Sequence, residues 1–98
     1  VLTTQMSLAN AILRQRRPAE ALLLLDAARA AGSETLAARP ELGILLAYRS
    51  RAFAALDRTD AARDDARAAI AAFESTVGAD HRRTRQAREW LDSIAATP

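Results

Sequence analysis

The sequence predicts an all-α fold on three observations. Apolar residues recur at helical spacing along nearly the whole 98-residue chain, with no alternating β-branched run. Alanine supplies 25 residues and leucine 13 against four aromatics, a composition that favours helices and lets them approach closely. Three prolines and three glycines divide the chain into five helical segments joined by short turns, which force antiparallel neighbours. The plan is a hairpin over about 2–31, a linker, a hairpin over about 40–77, and a capping helix over about 81–96. A chain of this length makes one domain, too short for two ordinary cores.

The first helix, about Leu2 to Gln15, sets Leu2, Met6, Ala9, Ile12 and Leu13 on one side. It ends in Arg14-Gln15-Arg16-Arg17, where cations suit the negative end of the helix dipole. Pro18 opens the second helix, since the first turn has no use for its missing N–H. That helix is expected to stop near Ala31, with Gly32 as a left-handed cap. Its run Leu22 to Leu25 is wider than one stripe and implies neighbours on two sides.

Ser33 to Arg39 reads as a linker with a turn of helix at Glu34 to Ala38. Pro40 opens the third helix, which runs to about Leu56 with Leu42, Leu45, Leu46, Phe53 and Leu56 as its apolar set. Asp57-Arg58 makes the next turn and Thr59 is the expected N-cap of the fourth helix. This helix continues through Ile70 and Phe73 to Val77, where Gly78 stops it. Asp80 is the expected cap of the fifth, about His81 to Ala96, with Ala87, Leu91, Ile94 and Ala95 on one face.

Charge and composition narrow the role. Fourteen basic residues against twelve acidic leave a net charge of only +2, and a nucleic-acid surface would need more surplus charge or aromatic interleaving, so nucleic acid is not expected as a partner. All fourteen are arginine; with the alanine content this points to a GC-rich bacterial genome. The absence of cysteine excludes disulfides and thiolate metal sites without indicating a compartment, and a cytoplasmic location is only the default. No apolar run approaches the ~18 residues of a membrane span. The start at Val1, without methionine, leads us to expect a piece of a longer protein.

The two hairpins repeat one another. Ala21-x3-Leu25-x2-Ala28 matches Ala62-x3-Ala66-x2-Ala69, 41 residues on. Twelve residues before each leading alanine stands a small residue, Ala9 or Ser50, followed three residues later by Ile12 or Phe53. Small residues where helices cross let the backbones close up, and larger neighbours fill the space that remains.

These spacings resemble the tetratricopeptide repeat. Gln5-x2-Leu8-Ala9-x2-Ile12 with Ala21-x3-Leu25 follows the family pattern through the first hairpin, as Leu46-x2-Arg49-Ser50-x2-Phe53 with Ala62-x3-Ala66 does through the second. Val77-Gly78-Ala79-Asp80-His81-x2-Thr84-x2-Ala87-x3-Leu91 is similar to the stretch joining successive repeats of the kinesin light chain type. Four positions depart from the pattern: Gln5, Arg49 and Ala66 stand where larger apolar or aromatic residues are usual, and Arg82 replaces a proline. The resemblance implies a right-handed superhelix of two repeats plus a capping helix. It also implies that Asp80-His81 belongs to the inter-repeat turn and caps the next helix.

Nothing in the chain predicts catalysis, and no cofactor or metal is expected. There is one histidine, no cysteine and no glycine-rich phosphate loop. Among Asp57, Asp60, Asp64 and Asp65, the densest carboxylate group, Asp60, Asp64 and Arg67 read as one solvated helix face with an aspartate–arginine pair at i,i+3. Arg82, Arg83 and Arg85 lie in the first two turns of the fifth helix, where the dipole disfavours cations. Pairs Arg85–Glu89 and Arg88–Asp92 would offset part of this; the remainder makes the cluster a candidate anionic contact. Arg14, Arg16 and Arg17 read as dipole partners instead.

The resemblance implies a concave groove formed by the first helix of each hairpin and suited to a protein or peptide partner. Its candidate lining is Thr3, Met6, Asn10 and Leu13 on one helix and Ile44, Ala47, Tyr48 and Arg51 on the other. Asn10 would hydrogen-bond a peptide backbone and Arg51 would pair with a carboxylate of an acidic partner. Trp90 either packs on the fourth helix near Phe73 or stands exposed as a dimer or interdomain contact. The expected function is therefore protein–protein interaction through the groove. The alternatives are docking, homodimerisation or spacing within a larger bacterial kinase or regulator, and a helical sensor for a small ligand.

Overall fold

The computed structural model describes the backbone over residues 2–36 and 40–95, and the side chains over 6–30 and 40–94. Among the described residues there are five helices and no strand: α1 (Leu2–Arg14), α2 (Pro18–Leu36), α3 (Pro40–Ala55), α4 (Thr59–Thr76) and α5 (Arg82–Ala95). Pro18 and Pro40 each occupy the first position of a helix, where a fixed φ helps and an N–H is not needed. Each helix packs on the next and α1 also reaches α3, so the helices follow one another through space in chain order. The least extent is 18 Å, about two helix diameters.

The hairpins share one turn. After α1, Arg16 adopts φ 60° while its N–H bonds to the Leu13 carbonyl and that of Arg17 to the Ile12 carbonyl. After α3, Asp57 adopts φ 61°, with Asp57 N–H on Ala54 and Arg58 N–H on Phe53. Both are Schellman closures, which satisfy carbonyls that a helix end leaves without partners. Burial repeats as well. Ala9 and Ser50, and Ala21 and Ala62, are fully buried, so the small residues do lie where the helices meet.

Three clusters make the core. Met6, Ala9, Leu25, Ala28 and Leu45 join α1, α2 and α3. Leu46, Ala69, Phe73 and Ala87 join α3, α4 and α5. Ala62, Ala66 and Ile94 fix the end of α5 to α4, with Phe53, Ala54, Trp90 and Leu91 around them. Arg49, the departure from an apolar pattern, holds a different seam. Its guanidinium donates to both carboxylate oxygens of the buried Asp65 on α4, at 2.8 and 3.2 Å, and to Asp26 on α2 at 3.2 Å.

The boundaries differ from expectation at Gly32, at Thr59 and at Asp80. Helix α2 does not stop before Gly32; it continues through it to Leu36, so the linker read from Ser33 is helical over 33–36, and its remainder, 37–39, lies outside the described residues. Glycine permits a left-handed cap without compelling one, and no proline follows until Pro40. Thr59 is the first helical residue of α4 rather than its cap; Arg58 holds the cap position, without a side-chain bond. Asp80 is exposed and does not cap α5. His81 does, accepting the Arg83 N–H on Nδ1 at 3.1 Å while its carbonyl takes the Arg85 N–H. The stop at Gly78 stands, at φ 94°, and the buried Thr84 hydroxyl donates to its carbonyl at 2.7 Å. The predicted end of the fifth helix, Ala96, lies outside the described residues.

Candidate functional site

A groove of about 450 Å³ runs across one side of the molecule. Helix α1 contributes Asn10, Leu13 and Arg14; α3 contributes Ile44, Ala47, Tyr48, Arg51 and Ala55. Helix α5 closes it with Arg83, Gln86, Ala87 and Trp90, and Ala66, Ala69 and Phe73 of α4 form the floor. Helix α2 supplies none of these residues. The volume falls in the range of concave ligand sites, roughly 300–1,000 Å³.

Helical spacing explains which side chains meet there. Asn10, Leu13 and Arg14 stand at i, i+3 and i+4, as do Ile44, Ala47 and Tyr48. Of the expected groove residues, Asn10, Leu13, Ile44, Ala47, Tyr48 and Arg51 are brought together. Met6 is not: it is 5% exposed and packs with Ala9, Leu25 and Leu45, because α1 turns its Met6–Ala9 side toward α2 and α3. Thr3 belongs to α1, and its side chain lies outside the described residues.

The three arginines at the start of α5 separate. Arg83 joins the groove while Arg82 and Arg85 point to solvent away from it. None of the three has a carboxylate partner among the described residues. The expected Arg88–Asp92 pair is replaced by Arg88–Glu74 at 2.5 Å, a bond between α5 and α4 rather than along one helix. The Asp64–Arg67 pair does form, at 3.6 Å and exposed on both sides. Asp65, read with that solvated group, is buried by its bond to Arg49.

Trp90 packs on α4, though toward its start and not with the Phe73 cluster. It packs against Ala62, Ala66 and Ile94 and donates its indole N–H to Ser50 Oγ at 2.7 Å. The Arg51 guanidinium lies over its ring, 5.3 Å from the centroid. The polar role of Ser50 escaped the sequence reading, which used only its size. Arg14 also escaped it, although its i+4 spacing from Asn10 was the available signal.

Charge in the groove is of one sign. Among the described residues its charged lining is Arg14, Arg51 and Arg83, one from each of three helices, with no aspartate or glutamate. Asn10, Tyr48 and Gln86 add uncharged hydrogen-bonding groups. Among the described residues, no three His, Cys, Asp or Glu side chains converge as metal ligands, and no helix is long and apolar enough to cross a membrane. No family model, curated protein or solved structure matches the chain.

Proposed function

We propose that this chain is a tetratricopeptide-like interaction module that takes an acidic segment of a partner protein into the groove between α1, α3 and α5. The observation that carries the reading is the groove's charge: three arginines on three helices and no acid among the described residues, in a chain with twelve acidic residues. Carboxylates of the partner would meet guanidinium forks, each able to give two parallel bonds. Leu13, Ile44 and Ala47 offer the apolar surface that excludes water around them. The 41-residue repeat of turns and small contacts supports the family reading, and no catalysis is assigned.

The test is titration of a fluorescein-labelled peptide alternating aspartate with leucine against the wild-type chain and Arg51→Glu. Charge reversal is expected to weaken binding by at least about tenfold, equivalent to ~1.4 kcal/mol. Unchanged affinity overturns the groove model. A second reading, a sensor for a small anionic ligand, is favoured by the modest groove volume. Thermal stabilisation by anionic metabolites with none by peptides selects it.

A further inference from the structure

Two arginines of α3 lie over aromatic rings, and only one of them is engaged by carboxylates among the described residues. Arg49 lies 5.6 Å from the Phe53 centroid, and its N–H groups are taken by Asp65 and Asp26. Arg51 lies 5.3 Å from the Trp90 centroid and makes no ion pair among the described residues. A guanidinium carries five N–H donors, which carboxylates use up and an aromatic ring beneath the cation does not. Arg51 therefore lies over the indole with its donors taken by no carboxylate among the described residues.

The surface that holds it is itself fixed. Ser50 is fully buried and donates its single hydroxyl proton to the Ala62 carbonyl at 2.6 Å. Its lone pairs accept the Trp90 Nε1–H at 2.7 Å, which sets the rotation of the indole. The relay thus runs from the backbone of α4 through Ser50 on α3 to Trp90 on α5, and returns to Arg51 on α3.

We infer that Trp90 is a positioning residue for recognition: anchored by Ser50, it pre-orders the Arg51 guanidinium and so sets the groove's preference for a carboxylate over the corresponding amide. An unrestrained surface arginine loses rotamer freedom when it grips a ligand; one already stacked loses less. The assignment rests on the groove reading above and adds its source of charge selectivity.

The experiment compares the wild-type chain, Trp90→Phe and Ser50→Ala, each shown to be helical and folded at the assay temperature by circular dichroism. Two labelled peptides are titrated, alternating aspartate–leucine and its asparagine counterpart. Trp90→Phe keeps an aromatic face and loses the N–H; Ser50→Ala keeps the indole and removes its anchor. Both variants are expected to lower the aspartate-to-asparagine affinity ratio about threefold or more, and Ser50→Ala, at a residue outside the groove lining, should leave the asparagine peptide within about twofold. ¹⁵N relaxation without ligand should show Arg51 Nε more ordered than that of the exposed Arg29, and the difference should shrink in both variants.

Parallel loss of both peptides, an unchanged ratio, or an Arg51 as mobile as Arg29 overturns the assignment and leaves the groove reading in place. Failure of both peptides to bind the wild-type chain overturns the groove reading, and this assignment with it.

Discussion

Arg16 and Asp57, 41 residues apart, stand in the same left-handed backbone conformation, φ 60° and 61°, and each closes a helical hairpin with the same pair of backbone bonds. Side chains with a Cβ are strained there by about 1–2 kcal/mol, a cost glycine does not bear. Arg16→Gly and Asp57→Gly are each expected to raise stability by about 1 kcal/mol, less a few tenths for the added freedom of the unfolded chain. Urea unfolding followed at 222 nm checks this. A lower midpoint in both variants would show that the turns differ from the geometry described.

Gly43 offers the opposite case, a glycine required by space inside a helix. A Cβ at this position would stand 2.5 Å from Cε1 and 2.6 Å from Cδ1 of Phe73, whose ring is buried between α3 and α4. Alanine would gain about 1 kcal/mol of helix propensity and lose about 1–3 kcal/mol to overpacking. Gly43→Ala is expected to destabilise the fold by about 1 kcal/mol in net. In a Phe73→Leu background the sign should reverse, and thermal melts of the four proteins test both statements.

The Arg49–Asp65 pair is worth more than its surface neighbours. The Asp65 side chain is only 8% exposed, so removing either partner leaves the other with unmet bonds away from water. Asp65→Ala is expected to cost about 2–3 kcal/mol, below the full penalty of a wholly buried pair because Arg49 keeps some contact with solvent. Asp26, half exposed, should cost less than about 0.5 kcal/mol on the same substitution. A double-mutant cycle across Arg49 and each aspartate separates the two contributions, and equal coupling would defeat the ranking.

Part of the site was legible beforehand because the resemblance implies which face of each first helix lines a groove, and helical spacing groups the side chains on that face. Asn10 and Leu13, and Ile44, Ala47, Tyr48 and Arg51, are groove residues by what the resemblance implies, their i, i+3 and i+4 relations put them on common faces, and the groove contains all six. Met6, implied for the groove by the same resemblance, does not line it. With apolar side chains around much of α1, spacing names a face without saying which neighbour turns toward it. Gly32 and Thr59 failed for a related reason: each residue type permits a helix end, and neighbouring contacts decide whether the end is used.

Residue order by itself determined the helices, their opening prolines, the stop at Gly78 and the 41-residue recurrence of small contacts, since these depend on local sterics and on backbone bonds within a few residues. The tertiary structure alone decided that Arg83 parts from Arg82 and Arg85, that Arg49 is consumed by aspartates while Arg51 stays available, and that Trp90 is tied to Ser50. Those outcomes turn on the rotation of one helix about its axis relative to another. In an alanine-rich chain that angle is set by how the few large side chains fit together, a relation among residues distant in sequence.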